Sequence, residues 1–431
     1  MNMNLSYRDN RGQLLFPIKD NIYNYRQCTV SINNKNVLRG IHVNNFDKLV
    51  TCIQGKILDI IINFDNTSDD YLVPKYYYLD PNTELFQILV PKCYGHAFIS
   101  LEDNSILQYH FNGVFNDAET SHYHYLDPYI NIQLPKEINK NMLIISDKDN
   151  KLNFVKPIDY IIFGPNGFLG SNIIKNLKKK CKNYIASNLR LNEINEINEL
   201  FTTYRPKYVI NCAGLTGNPN IFWCDEHKTE TMETNVTYQL TMASLCKAQG
   251  IHLTILGSAG IFKNDKMYTE ADNGNNYSNF YGECRIMLEN MVKYYDNVLY
   301  LRINYPISDN PSQKNLLTKL LKYETIDSID VSITYIDDLI PLLFDMVEQN
   351  ETGVCNFTNP GKMNIVDIIK TYNNQDLSQT KNIKINSIAN PATSQTRSFA
   401  VLETNKLLKY NPLHISDAIE LCCKNYVKNI V

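Results

Sequence analysis

Residues 161–170 read IIFGPNGFLG, and this stretch decides the fold of the second part of the chain. A strand-like apolar run leads into Gly164, Gly167 and Gly170, and the residues that follow, SNIIKNLKKK, have a helical pattern. Glycines between a strand and a helix let backbone amides and the helix N-terminus hold a pyrophosphate. The stretch therefore predicts a dinucleotide-binding domain, and about a third of the chain precedes it.

Strands and helices alternate from Asp159 to about Pro306. The strand-like runs YIIFG, YIAS, YVINCAG, LTILGS and VLYLRINYP are separated by helix-like segments such as LNEINEINELF. This alternation is typical of a parallel, doubly wound sheet of the Rossmann type. The order is less regular beyond Pro306, which predicts a smaller substrate-binding part from about residue 307.

The first part of the chain has a different pattern, with many short β-prone runs and no long helical period. Such spacing predicts an all-β sandwich or barrel. The polar segment at residues 146–156 separates it from the second part, so we expect domains at 1–152 and 157–431. The β-prone runs are CTVSI, KLVTCI, KILDIIINF, KYYYL, LFQILV, HAFISL, SILQYHF and INIQL.

Composition excludes several classes of protein. The 431 residues carry a net charge of −3, which leaves no excess positive field for nucleic acid or an anionic membrane. The eleven cysteines include no C-x-x-C pair, so we expect reduced thiols in a cytoplasmic protein rather than disulfides or a zinc site. No run approaches the ~18 apolar residues of a membrane span, and the N-terminus does not resemble a signal peptide.

Arg190 bears on the choice of cofactor. The stretch IASNLR, at the end of the second strand, lacks the acidic residue that binds an NAD ribose and offers Arg190 instead. A guanidinium there can pair with a 2′-phosphate, which favours NADPH over NADH. The alternative is a solvated arginine with no role in binding.

Ser258, Tyr281 and Arg285 form a candidate reduction site. Ser258 ends the LTILGS strand, and Tyr281 and Arg285 are four residues apart, so they share one helix face. A cation beside the phenol favours the phenolate, so the phenol can give a proton to a carbonyl oxygen as hydride arrives. A tyrosine and a basic residue at this spacing are also common in ordinary helices.

The phrases NCAGLTGNPNIFWCDEHKTETMETNV, LRINYPIS, TYIDDLIP and GVCNFTNPG resemble extended short-chain reductases that make nucleotide-activated L-rhamnose, above all the plant epimerase/reductases. The resemblance covers about residues 160–408. It implies that Ser258, Tyr281 and residue 285 reduce a C4 ketone, although the family has lysine where Arg285 stands, and the two are not interchangeable. It also implies further contacts to the cofactor from Phe168, Leu169 and Ala213, and to the substrate from Asn218 and Arg397.

Residues 7–150 resemble the 4-keto-6-deoxyhexose 3,5-epimerases, which have a cupin-like jelly-roll fold. The similar phrases are RDNRG, NVLRGIHV, DKLVTCIQGKILDIIINF, PKCYGHAFISL, LDPYINIQLP and ISDKD. The family's catalytic dyad corresponds to His42 and Asp149. The resemblance places these residues at the substrate: Arg11, Arg39, Lys48 and His96.

Such an epimerase removes a proton next to a ketone. A neutral histidine must take that proton while a cation stabilises the enolate oxygen, roles that suit His42 and Lys48. Phe115 stands where the family has a proton-donating tyrosine, and phenylalanine has no proton to give. We therefore expect inversion at C3 and little or none at C5.

Two alternatives concern other residues. His122 and His124 in SHYHY would point to one strand face with metal-ligand spacing, but no third ligand is evident, so we expect no metal. Cys224 lies in a phrase where the plant enzymes have a cysteine thought to act as a base, and His227 is three residues away. Cys224 is therefore either a reactive thiolate, with a thiol pKa lowered by its neighbours, or a buried structural thiol.

The sequence as a whole predicts a bifunctional epimerase and NADPH-dependent 4-reductase that makes an L-rhamnose-type sugar nucleotide. The plant resemblance favours a UDP-linked substrate, and the sugar could carry a hydroxyl or an acetamido group at C2. The alternative is an active epimerase joined to an impaired reductase that only binds the sugar nucleotide. The epimerase resemblance implies a homodimer.

Overall fold

The computed structural model describes residues 6–10, 12–18, 24–116, 120–218, 220–263, 266–375, 381–386 and 400–430. The chain forms two compact units, Met1–Pro157 and Ile158–Val431. The first is built from β-strands, and the second combines a parallel sheet with helices, so the predicted fold class is confirmed. Within these described ranges, no helix has both the length and the apolar character needed to span a bilayer.

The strands of the first unit form antiparallel sheets. Their bounds are β1 (Ser6–Asp9), β2 (Gly12–Leu15), β3 (Gln27–Asn33), β4 (Leu38–Val43), β5 (Lys48–Gln54), β6 (Ile57–Asn63), β7 (Pro74–Leu79), β8 (Gln87–Val90), β9 (Tyr94–Ser100), β10 (Ser105–Phe111) and β11 (Ser121–His122). The strand pair β1-β2 stands apart from a four-stranded sheet, β3-β10-β5-β8, and a five-stranded sheet, β11-β4-β9-β6-β7.

The five-stranded sheet is covered on both faces. One face packs against the four-stranded sheet, where Phe98 of β9 meets Val50 of β5 in a common core. The other face packs against later chain that includes Ile130. Strands buried on both sides read as continuous apolar runs, which explains why all of β6, ILDIIIN, is buried. A polar group on β6 is therefore shielded from water.

Two details of the strand prediction were wrong. The run INIQL at residues 130–134 forms no strand, because it packs as irregular chain on the outer face of the sheet with Ile130 buried. The alternation of apolar and polar residues there reflects burial of one side of the segment and not strand pairing. Conversely, β4 was not among the predicted runs, because Arg39 and Gly40 interrupt its apolar residues.

The second unit is centred on a parallel sheet with strand order β13-β12-β14-β15-β17-β20. The sheet strands are β12 (Tyr160–Phe163), β13 (Tyr184–Ser187), β14 (Tyr208–Asn211), β15 (His252–Ser258), β17 (Val298–Ile303) and β20 (Gly353–Asn356). The helices linked to it are α1 (Phe168–Lys179), α2 (Ile194–Tyr204), α3 (Trp223–Glu226), α4 (Lys228–Met232), α5 (Tyr238–Ala248), α6 (Phe280–Val292) and α8 (Ile336–Glu348). In such sheets ligands bind at the carboxyl ends of the strands.

Most of the remaining elements surround a second apolar cluster, in which Ile307 and Leu317 pack with Tyr335, Ile368 and Cys422. The helices are α7 (Leu316–Leu320), α9 (Ile365–Gln375) and α10 (Ile415–Ile430). The short strands are β16 (Met267–Tyr268), β18 (Thr325–Asp327), β19 (Asp330–Val331), β21 (Met363–Asn364), β22 (Lys384–Asn386) and β23 (Val401–Leu402). This second core gives the later part of the unit its own support beside the parallel sheet.

Candidate active sites

Three histidines of the first unit lie side by side on neighbouring strands. His42 on β4 stands opposite both His96 on β9 and His122 on β11. Directly opposed residues of antiparallel strands share a face of the sheet. Phe98, two residues after His96, marks this face as the one that meets the four-stranded sheet. The strand register thus joins two predicted site residues, His42 and His96, to His122.

His42 contacts a histidine more closely than it contacts its predicted carboxylate. Its Nδ1 lies 2.8 Å from Nδ1 of His122, whereas its Nε2 lies 4.0 Å from Oδ1 of Asp149. The second distance fits an ion pair but is too long for a hydrogen bond. Asp149 Oδ2 accepts a long hydrogen bond, 3.4 Å, from the backbone N–H of Gly40. The structure therefore brings His42 and Asp149 together, and His122 is the direct partner of His42.

Asp59 completes the cluster and was missed by the sequence analysis. Its Oδ2 lies 2.7 Å from Nε2 of His96, and its Oδ1 is buried without a hydrogen-bond partner in the part of the chain that the structure describes. The signal was present in the sequence, because Asp59 is the one carboxylate inside the apolar run ILDIIIN of β6. A buried charge needs a partner or a function. Lys48 is buried nearby, and its Nζ donates to Oδ1 of Asn44 at 3.1 Å.

Burial sets the protonation of the two central groups. Burial, with smaller contributions from the neighbouring His122 and Lys48, lowers the pKa of His42 to about 3. It also lowers the pKa of Lys48 from 10.5 to about 7, although Asp59 opposes this shift. Burial raises the pKa of Asp149, against the hydrogen bond from Gly40. At neutral pH His42 is thus an unprotonated imidazole, the form a base needs, beside a lysine that is still partly charged.

The other predicted residues of this site lie at its margin or outside the described residues. Arg39 is exposed, and its Nε donates to Oδ1 of Asn33 at 3.1 Å. Phe115 is 44% exposed, and its backbone N–H donates to Oε1 of Gln27 at 2.7 Å. Arg11 lies outside the described residues.

The glycine loop of the second unit has the geometry of a phosphate cradle. Gly164 follows β12 with a φ of +67°, a conformation that favours glycine. A Cβ at Gly170 would lie 2.1 Å from the carbonyl oxygen of Gly164, so the loop could not close on α1 with any other residue. Gly167 caps α1 without a side-chain hydrogen bond, so no cap from this residue competes for the amides of the first turn. Such amides suit a pyrophosphate.

The other predicted cofactor residues surround this loop. Phe168 and Leu169 begin α1, and a Cβ at Gly164 would lie 2.8 Å from the backbone nitrogen of Ala213, which follows β14. Arg190 is exposed beyond the end of β13, where its backbone N–H donates to Oε2 of Glu193 at 2.6 Å. The loop and the exposed guanidinium together fit a dinucleotide that carries an additional phosphate.

Ser258 lies at the end of a strand, and Tyr281 lies at the start of a helix. Ser258 is the last residue of β15, and its Oγ accepts a hydrogen bond from the N–H of Gly260 at 3.0 Å. Tyr281 is the second residue of α6, whose first N–H, from Phe280, donates to Oδ1 of Asp225 at 2.7 Å. The start of the helix that carries Tyr281 is therefore fixed by a carboxylate from α3.

Arg285 lies against Tyr281 as its spacing predicted. It is buried, and its guanidinium carbon lies 5.3 Å from the centre of the Tyr281 ring. Among the described residues, its Nε and Nη1 have no hydrogen-bond partner. A buried guanidinium with unused donors is costly unless another group completes it. The structure thus supplies the cation that a reductase tyrosine requires, together with donors that a ligand could use.

Gly214 makes the space that Arg285 occupies, and the sequence analysis missed it. A Cβ at Gly214 would lie 2.7 Å from Nη2 of Arg285. Gly257 has a similar role for Tyr300, because its Cβ would lie 2.3 Å from the ring of that buried tyrosine. The glycine of the NCAG phrase was the available signal, but nothing in the sequence connects it to position 285.

Cys224 does not have the surroundings of a reactive thiolate. Its side chain is fully buried, and burial raises the pKa of the thiol. His227, its expected partner, stacks on Trp223 with 3.7 Å between ring centres, and its Nδ1 lies 2.9 Å from the carbonyl oxygen of Trp223. These contacts favour the structural alternative. Asn218 is exposed, and Arg397 lies outside the described residues.

The two folds and sites define a class of protein, an epimerase-like β unit followed by a nucleotide-sugar reductase unit, and comparison with known proteins agrees. Residues 7–156 match the family described as dTDP-4-dehydrorhamnose 3,5-epimerase. Residues 159–427 match the family described as RmlD substrate binding domain. Since the second match covers more than half of the chain, the protein belongs to the RmlD family and carries an RmlC-like epimerase domain before it.

Similar proteins include enzymes with combined activities. A bifunctional dTDP-4-dehydrorhamnose 3,5-epimerase/reductase of Arabidopsis thaliana is 34% identical over 223 residues, which are 50% of this chain and 74% of that protein. A trifunctional UDP-glucose 4,6-dehydratase/epimerase/reductase of the same plant is 32% identical over 246 residues. Those residues are 55% of this chain and 37% of the plant protein, so the chain spans little more than a third of the longer relative.

Solved structures resemble the reductase part. The crystal structure of the L780 UDP-rhamnose synthase from Acanthamoeba polyphaga mimivirus is 26% identical with a TM-score of 0.59, over 63% of this chain and all of that chain. A dTDP-4-dehydrorhamnose reductase from Bacillus anthracis, solved in complex with NADP, is 18% identical with a TM-score of 0.54, over 64% of this chain and 99% of that chain. The second likeness shows the fold alone.

Proposed function

We propose that the protein is a bifunctional enzyme of nucleotide-sugar biosynthesis. The first unit epimerises a nucleotide-linked 4-keto-6-deoxyhexose at C3, and the second unit reduces its C4 ketone with NADPH to give an L-rhamnose-type sugar nucleotide. The observation that carries the proposal is that each unit pairs a proton-transfer group with a cation. These pairs are neutral His42 with buried Lys48, and Tyr281 with buried Arg285.

In the first unit, His42 takes the proton from C3. The electrons of the broken C–H bond move toward the C4 oxygen, where the charge of Lys48 stabilises the enolate. The enolate is planar, so a proton delivered by solvent water to its other face gives the inverted centre, and His42 releases to solvent the proton that it took. Asp149 and Gly40 fix the chain around His42 while this occurs.

In the second unit, Tyr281 gives its phenolic proton to the C4 oxygen, and Ser258 orients that oxygen. Arg285 stabilises the phenolate that remains. The glycine loop would hold the pyrophosphate and Arg190 the 2′-phosphate of NADPH, which supplies the hydride to C4. Reduction removes the ketone, so the acidity at C3 ends and the new configuration is retained. Linking both sites in one chain raises the local concentration of the intermediate.

We also propose which nucleotide the substrate carries, which carbon is inverted and what the sugar carries at C2. The trifunctional plant protein and the mimiviral structure are named for UDP-sugars, which supports a UDP-linked substrate, whereas the bifunctional plant protein is named for a dTDP-sugar. Phe115 supports inversion at C3 without efficient inversion at C5, because its ring has no proton to donate. A 2-acetamido sugar already inverted at C5 would suit that restriction. The relative rates with UDP- and dTDP-linked substrates would test the first point.

A homodimer formed through the first unit is also part of the proposal. Strand β3 is an edge strand of the four-stranded sheet, and its Val30 and Ile32 are 51% and 67% exposed. An exposed apolar edge of this kind favours pairing with another chain. All eleven cysteines lie in the described ranges and are free thiols, which supports a reducing, cytoplasmic compartment. A mass measurement in solution, with Ile32→Lys as the variant, would test the dimer.

The decisive experiment measures deuterium incorporation. The protein is incubated in D2O with a UDP-linked 4-keto-6-deoxyhexose and without NADPH, and label at C3 and C5 is located by NMR. We expect label at C3, little at C5, and a fall of about 10²–10⁴-fold at C3 in His42→Ala. Cys224→Ala should leave the label unchanged.

Three results would contradict parts of the proposal. Efficient label at C5 would overturn the argument from Phe115. Label that survives His42→Ala but disappears in Cys224→Ala would move the epimerisation into the second unit. Normal label at C3 with no NADPH oxidation after the cofactor is added would reduce the second unit to a sugar-nucleotide binding module.

A further inference from the structure

His122 is the residue in direct contact with the proposed base. The two Nδ1 atoms of His42 and His122 lie 2.8 Å apart, and their rings meet edge to face with 4.8 Å between centres. His124, its neighbour in the SHYHY stretch, is occupied elsewhere, because its Nδ1 accepts a hydrogen bond from the N–H of Leu126 at 3.1 Å. His122 is therefore placed to act with His42, and the two histidines of SHYHY face different partners.

This contact selects the tautomer of His42. A hydrogen bond between two neutral imidazole nitrogens needs one N–H and one lone pair. If His122 donates, His42 carries its hydrogen on Nε2 and neither of its nitrogens is free to take a proton. If His42 donates, its Nε2 keeps a lone pair and can act as a base. Asp149, 4.0 Å from that Nε2, makes no hydrogen bond that would decide between the two.

We propose that His122 is a positioning residue for the epimerase. His122 accepts a hydrogen bond from the Nδ1–H of His42 and so holds His42 in the tautomer whose Nε2 can act as a base. The inference rests on the proposed epimerisation at C3. In the step itself the C3–H bond breaks, its electrons move to the C4 oxygen, and a new N–H bond forms at His42 Nε2. The Nδ1–H of His42 then passes to Nδ1 of His122, so His42 becomes neutral again.

The surroundings of His42 favour such a transfer. Its protonated form is disfavoured by burial and by neighbouring cations, whereas His122 is only half-buried, at the edge of the five-stranded sheet. The proton thus has reason to leave His42, and His122 is the nearest group that can receive it. The charged and titratable groups around His42, besides His122, are His96 on β9, Lys48 on β5, and Asp149 and Lys148 after β11.

The test compares His122→Asn and His122→Phe with the wild-type chain. Asparagine can still accept a hydrogen bond near the position of Nδ1 but cannot carry a proton onward, and phenylalanine does neither. The readouts are the rate of deuterium incorporation at C3 and its dependence on pH. His110→Asn is the matched control, because His110 lies on β10 and its ring packs at a tilt against Tyr25, 5.6 Å between ring centres, instead of contacting His42.

We expect His122→Asn to lower the exchange rate about tenfold and His122→Phe about 100-fold. In both, the acid limb of the pH profile should shift, because the imidazole in direct contact with Nδ1 of His42, which affects the pKa of His42, is gone. His110→Asn should stay within about twofold of the wild type. A denaturant titration of each variant would show that the first unit, which carries His122, is still folded.

Two outcomes would overturn the inference. One is a wild-type rate and an unmoved acid limb in both His122 variants. The other is a lower rate with an unmoved acid limb, which a purely structural role would produce. Absence of C3 exchange in the wild-type protein is a different failure, because it would refute the proposed epimerase function itself.

Discussion

The two units assemble their candidate sites in opposite ways. In the first unit, strand register places His42, His96 and His122 beside one another on adjacent strands of one sheet. In the second unit, Ser258 ends a strand, whereas Tyr281 and Arg285 lie on a helix that begins 22 residues later. One site follows from the pairing of strands, and the other depends on how separate elements meet.

The pairing of polar groups also differs between the two sites. His42 and His96 each have a side-chain partner within the first unit, His122 and Asp59 respectively, and Oδ1 of Asp59 is buried without a partner among the described residues. In the second unit, Nε and Nη1 of Arg285 are both buried without a partner among the described residues. Buried donors of this kind are expected to be completed when a ligand binds.

The largest expected effect separates the two activities. Tyr281→Phe keeps the ring and its contact with Arg285 but removes the proton that the reduction needs, so NADPH oxidation should fall about 10²–10⁴-fold. Deuterium incorporation at C3 should not change, because no residue of the first unit is altered. Tyr277→Phe, at a 61% exposed tyrosine nearby, is the control. Equal losses in both variants would refute the assigned role of Tyr281.

The sequence predicted the fold class, and it also predicted where the glycine loop, Ser258, Tyr281 and Arg285 lie, because they follow strand ends or share a helix face at fixed spacing. Their roles in the reaction stay predictions. His42 and Asp149 are 107 positions apart, and their pairing came from resemblance and not from local pattern. Their approach to 4.0 Å is a product of the tertiary fold.

What the sequence could not predict were the contacts set by strand register and by packing. His122 was read with His124 because alternation places both on one strand face, yet β11 ends at His122. Asp59 was hidden in an apolar run, and Gly214 is identified only by the space that Arg285 fills. These residues act through neighbours distant in sequence, which no local period reports.

A smaller effect tests the packing of the reductase cation. Gly214→Ala would bring a Cβ to 2.7 Å from Nη2 of Arg285, so the buried guanidinium would have to shift. We expect kcat/KM for NADPH oxidation to fall about tenfold. Lysine has no second terminal nitrogen at that place, so in an Arg285→Lys background the same change should cost less than about twofold. The double-mutant cycle measures this coupling.

Losses that simply multiply in the Gly214→Ala, Arg285→Lys double variant would contradict the steric argument. They would mean that position 214 affects the site independently of the guanidinium, for example through Asn235, whose Oδ1 would lie 3.4 Å from the added Cβ. Deuterium exchange at C3 is the internal control, because neither substitution lies in the first unit.

The smallest expected effect is a difference in pH dependence between the site with Lys48 and the site with Arg285. Lys48 has its pKa lowered by burial to about 7, whereas an arginine side chain keeps its charge in proteins. If charged Lys48 stabilises the enolate, C3 exchange should fall about fivefold between pH 7 and pH 8, and a lysine-dependent limb should be absent from NADPH oxidation. Lys48→Met should exchange slowly and show no such limb.

Stability should change in the opposite direction over the same range, which excludes unfolding as the cause. The pKa of Lys48 is lower in the folded chain than its ordinary value of 10.5, so between about pH 7 and 10.5 the unfolded chain binds more protons. The contribution of Lys48 to the free energy of unfolding therefore rises with pH through that window. Exchange that falls while denaturant resistance of wild type relative to Lys48→Met rises would assign the limb to Lys48. Parallel losses of exchange and resistance would instead show that the first unit unfolds.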